Sequence, residues 1–353
     1  MDPSNETTML RVGVVGLGMG RHHVEAFSNH PNAEVVAISD LDPKRLEDIG
    51  NQYGVANRYT AFEEMLEKES LDIVGIATPN FLHRPIALAA IAAGCHVFCE
   101  KPMAMNAGEA QEMIDAANAA GRRIMIDFSY RFSDQSQALY AEVQKDTLGD
   151  VYFGRAVWLR RDGMPGFGGW FGQKDKSGGG PLIDLGVHRL DFALWLMGYP
   201  KPAWVVGATY DHLARQKADA EEKLYDVEDM AVAMIRFENG ATLELEASWA
   251  SHIQEPEFME TRLLGTKAGL LQRNVGGGYA WETELYYHRD GEAVDHKLEI
   301  PEGQGTTGPE HFVDSIVSDS PHMATGEEGL IVMKILDAIY ASAERNEPVI
   351  LNG

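Results

Sequence analysis

The first 128 residues alternate short apolar runs with helical patterns, and few folds accommodate that rhythm. Runs rich in Val and Ile occur as RVGVVG (11–16), EVVAIS (34–39), DIVGIAT (72–78), HVFCE (96–100) and RIMIDF (123–128). The segments between them, about 21–29, 43–52, 61–68, 81–93 and 106–120, carry helical periodicity. Strands that are apolar throughout must be covered on both faces. Helices alternating with such strands do this by flanking a parallel sheet. The rhythm breaks near residue 130. A helix over 134–146 leads into a long strand, DVYFGRAVWLRR (150–161), then a glycine-rich loop and a strongly apolar helix. From 201 to 300 strands dominate, and MAVAMIRFENGATLELEASW alternates on both arms around Asn239-Gly240, a hairpin signature. Helical stretches at about 309–318 and 326–345 close the chain.

Composition narrows the function classes. A net charge of −24 over 353 residues disfavours nucleic acid and anionic membrane surfaces as partners. No apolar run reaches membrane-spanning length, and MDPSNETTML lacks the basic and apolar regions of a signal peptide. The two cysteines, Cys95 and Cys99, flank HVF in an apolar stretch and read as buried, reduced thiols. A cytoplasmic protein is expected. The twelve histidines show no metal-ligand spacing, so no metal is expected.

VGVVGLGMGRHH places Gly16, Gly18 and Gly20 after the first strand and at the start of a helix. Such a turn lets a dinucleotide pyrophosphate approach the backbone and the positive end of the helix, although here the third glycine comes one place early. Asp40 ends the second strand, where an acidic residue accepts hydrogen bonds from the adenosine ribose and repels a 2′-phosphate. NAD is therefore expected over NADP, with Lys44 and Arg45 working against that preference. Asp42 before Pro43 fits a helix cap and leaves Asp40 for the ribose. The expected architecture is α/β: a Rossmann-type parallel-sheet domain over 1–128, and an α+β domain over 129–353 built on a large, mainly antiparallel sheet.

Two further segments carry reactive groups. In GGGPLIDLGVHRLDFALWL (178–196), Asp184, His188 and Asp191 fall within an arc of roughly 60° on one helix face. That stripe is either a solvated face or a reacting surface. Lys101 precedes Pro102 at the end of a parallel strand, where the proline restricts its backbone and ligands gather.

Taken in order, the glycine turn, TPN (78–80) with His83, EKP (100–102) and GGGPLIDLGVHRLD resemble the glucose–fructose oxidoreductase / inositol dehydrogenase / MocA family, along nearly the whole chain. The resemblance implies an NAD site lined by Gly16, Gly18, Met19, Gly20, Asp40, Thr78, Pro79, Asn80, His83, Glu100 and Lys101. It implies a reacting group of Lys101, Asp184 and His188, with Arg131 of SYRF, Trp170 of PGFGGWF (165–171) and Asp191 beside the substrate. The activity implied is oxidation of a secondary alcohol of a polyol, cyclitol or sugar derivative. His188 would exchange the hydroxyl proton, Lys101 would hold the oxygen, and Asp184 would orient the histidine or a hydroxyl. Trp170 and Phe171 either stack on a sugar ring or anchor their loop. Trp158, Arg160 and Arg161 share a strand, where the arginine pair either invites an acidic substrate or balances nearby carboxylates. A homodimer or homotetramer is implied through the broad sheet. Two alternatives stand beside this reading: an NAD-retaining hydrolase or epimerase-like enzyme using transient oxidation, and a non-enzymatic NAD-binding regulator, which would have no use for the reactive trio.

Overall fold

A computed structural model describes residues 9–300 and 305–351, which divide into two compact units. Most of the N-terminal stretch read above for targeting lies outside the described residues.

The first unit runs to Ser129 and takes in Thr306–Leu330. Its strands and helices alternate as β1 (Leu10–Val15), α1 (Gly20–Asn29), β2 (Ala33–Ser39), α2 (Pro43–Tyr53), β3 (Asn57–Tyr59), α3 (Phe62–Lys68), β4 (Ile73–Ile76), α4 (His83–Ala92), β5 (His96–Glu100), α5 (Ala107–Ala120) and β6 (Ile124–Asp127). The sheet is parallel with order β3-β2-β1-β4-β5-β6. Val12, Val14, Ile73, Ile76, Val97 and Phe98 are fully buried in it, as strands covered on both faces require. β3 has the sequence NRY, too short and polar to announce itself. Asp42 caps α2 by accepting from the Lys44 and Arg45 amides, and Pro43 follows.

Residues 306–330, assigned from sequence to the second domain, instead pack with the first unit. Thr325 bridges Met125, and the Ile126 amide donates to the Ala324 carbonyl at 2.9 Å. Phe312 lies 6.0 Å from Phe98, and Arg123 Nη1 donates to the Ser315 and Ser320 carbonyls at 2.6 and 2.7 Å. Helical periodicity marks such a segment as amphipathic without saying which core takes its apolar side.

The second unit takes Tyr130–Gly305 and the chain from Ile331. Its elements are α6 (Asp134–Gln144), β7 (Val151–Arg160), the short α7 (Lys174–Ser177), α8 (Val187–Leu196), β8 (Pro202–Tyr210), α9 (His212–Ala220), β9 (Met230–Phe237), β10 (Thr242–Ser248), β11 (Glu257–Gly265), β12 (Ala268–Val275), β13 (Ala280–Arg289) and β14 (Glu292–Lys297). After α10 (Gly308–Val317), a first-unit helix, come α11 (Gly326–Arg345), which begins in the first unit and belongs to the second from Ile331, and β15 (Val349–Ile350). Nine strands form one sheet, β14-β13-β12-β11-β7-β10-β9-β8-β15, antiparallel except for the β7–β10 pair. The predicted hairpin is β9–β10, with Gly240 at φ +89°. α8 packs on β7 and β11 and is entered through a π-helical turn, Leu182–Gly186. Among the described residues no helix is long and apolar enough to cross a membrane.

Candidate active site

In the first unit the glycine turn, Asp40, Thr78–Asn80 and Glu100–Lys101 all follow carboxyl ends of parallel strands. They surround the point between β1 and β4 where strand order reverses, the usual crevice for a ligand in such sheets. Gly16 sits at φ +84°, and a Cβ there would lie 2.6 Å from the Ala77 carbonyl oxygen. At Gly20 a Cβ would be 3.1 Å from Ala77 Cβ, so its absence lets α1 close on the sheet. The early third glycine thus still serves helix packing. α1 opens with no side-chain cap and no acidic residue in its first turn. Its amide end is electrostatically suited to a pyrophosphate.

Asp40 secures this turn. Its Oδ2 accepts from the Leu17 amide at 2.7 Å, its Oδ1 from the Asp42 amide at 2.8 Å, and Arg45 Nη1 lies 3.4 Å from Oδ2. A carboxylate has about four acceptor sites, which leaves capacity for ribose hydroxyls. The native chain is expected to bind NADH at least about tenfold tighter than NADPH, a difference of about 1.4 kcal/mol. Asp40→Ser should narrow that gap and also weaken NADH, because serine is too short to hold the Leu17 amide. Fluorescence titration with both dinucleotides checks this, and a native preference for NADPH would contradict the ribose role.

Two expected cofactor ligands are turned inward instead. His83 is fully buried, with its ring nitrogens 2.8 and 2.9 Å from the Pro102 and Thr78 carbonyl oxygens. It braces the TPN and EKP loops from beneath. Burial lowers its pKa, and the two carbonyls partly oppose that. Glu100 points to His23, whose Nε2 lies 3.2 Å from Glu100 Oε1 and 3.5 Å from Asp127 Oδ2. The three ligand atoms lie within 4.8 Å of one another, with His23 bridging the two acidic side chains. Burial alone would depress His23, but hydrogen bonds to Asp127 and Glu100 overcome it and raise the pKa to about 9.

A raised histidine pKa stabilises the fold only while the imidazolium persists. The contribution is complete below the ordinary value of 6.5 and is lost as pH rises through about 9. Thermal unfolding should show this unit losing up to about 3 kcal/mol between pH 7 and 10. His23→Gln should flatten that slope; an unchanged slope would assign it to other groups.

In the second unit, every residue from Leu182 to Leu196 is buried except Asp184 and His188. Of the stripe expected from sequence, these two residues keep access to solvent while Asp191 is buried. His188 is flanked by Tyr130 (centroids 5.2 Å apart, 68° between planes) and Trp158 (5.6 Å). Asp184 Oδ2 accepts from Trp249 Nε1 at 2.9 Å. Lys101, in the first unit, is half-buried and joined to Pro102 by a cis peptide bond.

Arg131 and Asp191, expected beside the substrate, are consumed by each other. Asp191 accepts from Arg131 Nε at 2.9 Å and Nη2 at 2.5 Å, and from the Tyr199 hydroxyl at 2.5 Å. Both side chains are buried, where an unpaired charge would be costly, so the pair serves packing. The Arg160–Arg161 pair also dissolves: Arg160 Nε donates to Glu257 at 2.7 Å, and Arg161 Nε to the Ile253 carbonyl at 2.6 Å. Trp170 and Phe171 stack on each other at 3.9 Å, and Phe171 packs against Trp249. Trp170 remains half-buried.

Several residues of the site were not singled out from sequence. Arg189 is fully buried with its guanidinium carbon 4.3 Å from the Tyr130 ring and 4.8 Å from Trp281. His23 was visible only as part of RHH after the glycine turn. Trp249 directly follows the last residue of β10, two residues beyond the buried Ala247, a position that periodicity alone marks as core.

Comparison with known proteins follows this geometry. A family model described as an oxidoreductase family with an NAD-binding Rossmann fold matches residues 10–128, and a GFO/IDH/MocA C-terminal domain model matches 136–271. D-glucoside 3-dehydrogenase of Escherichia coli (strain K12) is 32% identical over 353 residues, covering 98% of each chain. Myo-inositol 2-dehydrogenase of Thermotoga maritima is 26% identical over 341 residues, covering 96% of this chain and 98% of the relative. Among solved structures, aldose-aldose oxidoreductase from Caulobacter crescentus, complexed with glycerol, superposes with a TM-score of 0.82 at 26% identity, covering 97% of this chain and 100% of that one. With two family models covering most of its length and a full-length relative at this identity, the chain belongs to the GFO/IDH/MocA oxidoreductase family and carries that family's NAD-binding Rossmann domain.

Proposed function

We propose that this enzyme oxidises a secondary ring hydroxyl of a sugar, glycoside or polyol with NAD as acceptor. The observation that carries the reading is the pair Asp184 and His188, alone in reaching solvent from the otherwise buried Leu182–Leu196. Removing a carbon-bound hydride requires that the hydroxyl proton leave as well. His188 takes that proton as general base. Lys101 donates a hydrogen bond to the same oxygen and stabilises its developing negative charge. Asp184 orients the imidazole or an adjacent hydroxyl. Gly16, Gly18, Met19, Gly20, Asp40 and Thr78–Asn80 hold the dinucleotide, which supplies the hydride acceptor when bound.

The substrate class is supported by relatives whose names are sugar or polyol dehydrogenases, D-glucoside 3-dehydrogenase and myo-inositol 2-dehydrogenase among them. Trp170 offers an aromatic surface for the apolar face of such a ring. A panel of D-glucosides, aldoses, inositols, uronates and anhydro-sugars with NAD and NADP, followed by NADH absorbance, tests the proposal. Stoichiometric NADH from at least one ring alcohol supports it. Product formation without NADH would instead indicate transient oxidation. Light scattering of the purified protein tests the proposed homodimer or homotetramer.

A further inference from the structure

The π-turn that carries Asp184 has no cap of its own: Pro181 precedes it without a side-chain acceptor. Glu228, just before β9, supplies the acceptors from elsewhere in the chain. Its Oε2 takes the Gly180 amide at 2.9 Å, and its Oε1 takes the Leu182 amide at 3.0 Å and the Tyr340 hydroxyl at 2.9 Å. Position 180 has to be glycine, because a Cβ would lie 2.0 Å from the Glu228 carbonyl oxygen. The backbone beneath Asp184 is thereby anchored at its start.

A bond from a buried tryptophan bears on the carboxylate itself. Trp249 is buried to 1% exposure and donates its indole N–H to Asp184 Oδ2 at 2.9 Å. An indole has a single donor in the plane of a rigid ring, so the ring's placement dictates where that hydrogen points. The ring is held in a buried cluster with Trp158, Leu185, Tyr225 and Met259, and Phe171 packs edgewise on it at 6.3 Å. Its backbone is pinned on both sides: the Trp249 amide donates to the Asp229 carbonyl at 3.1 Å, and the Gly163 amide donates to the Trp249 carbonyl at 2.8 Å.

We infer that Trp249 is a positioning residue for the reaction, its indole N–H fixing the rotation of the Asp184 carboxylate while Glu228 holds the turn that carries it. This rests on the reading of Asp184 as part of the reacting group. A carboxylate with one oxygen committed to a rigid donor has its second oxygen aimed without further cost at turnover.

The test is a double-mutant cycle with a spectroscopic arm. Trp249→Phe keeps an aromatic ring and removes the donor. It should lower kcat about tenfold and leave NADH affinity unchanged. Asp184→Asn should lower kcat further, and the double variant should be no worse than Asp184→Asn alone, since the bond then has no carboxylate to aim. In the proton–nitrogen spectrum, one of the six tryptophan indole signals should move in Asp184→Asn, and the same signal should be missing in Trp249→Phe. Additive losses in the double variant, unchanged kcat in Trp249→Phe, or six unmoved indole signals in Asp184→Asn would each overturn the positioning role. The last of these needs no tryptophan variant to fold. Wild-type turnover in Asp184→Asn would overturn the reading of Asp184 itself, and the positioning role with it. The indole shift would still register the contact, so the two failures are distinguishable.

Discussion

Replacing His188 with alanine is expected to cost about 10²–10⁴ in turnover, the range for loss of a general acid–base group. No other side chain of Val187–Leu196 reaches solvent, so no neighbour on that helix can take over the proton. Folding should survive. His188 is half-buried, and its ring lies edgewise to Tyr130 without filling the helix's packed side. A stability loss of about 1 kcal/mol or less is expected from thermal unfolding. The wild-type oxidation rate should fall toward acid pH, because an imidazolium accepts no proton, and that limb should disappear in the variant. Near-normal turnover of His188→Ala on a good substrate would remove the histidine from the mechanism.

Lys101→Ala should lower turnover by about 10²–10³, as for loss of a donor to a developing oxyanion. NADH affinity should stay nearly the same. The expected split follows from position: Lys101 lies beyond β5, whereas the glycine turn and Asp40 follow β1 and β2. The measurements are kcat on the best ring alcohol and NADH binding by fluorescence. Loss of NADH binding in a folded variant, with turnover of the bound fraction unchanged, would leave Lys101 a cofactor ligand only and end its catalytic assignment.

Much of the first unit could be read directly. The Val- and Ile-rich runs became β1, β2, β4, β5 and β6 within a few residues, because two-sided burial forces a composition that local sequence displays. Asn239-Gly240 and Asp42-Pro43 worked for a similar reason: a turn and a cap are set by neighbours in the chain. The return of 306–330 to the first unit left no local mark.

The stripe on the apolar helix shows where such reading ends. Spacing put Asp184, His188 and Asp191 on one face, and resemblance made all three functional. Asp191 is buried against Arg131, a residue 60 positions away, while the other two keep access to solvent. His83 and Glu100 likewise belong to motifs of the cofactor end, yet each turns inward to partners that only folding brings near. By itself the sequence determined the architecture, the family and the residues that carry charge near the site, since strand burial, turn geometry and motif order are local properties. Which of those charges are buried against a partner and which stay open to solvent was decided by the tertiary structure. A buried charge is too costly to leave unpaired, and its partner comes from wherever the fold delivers one.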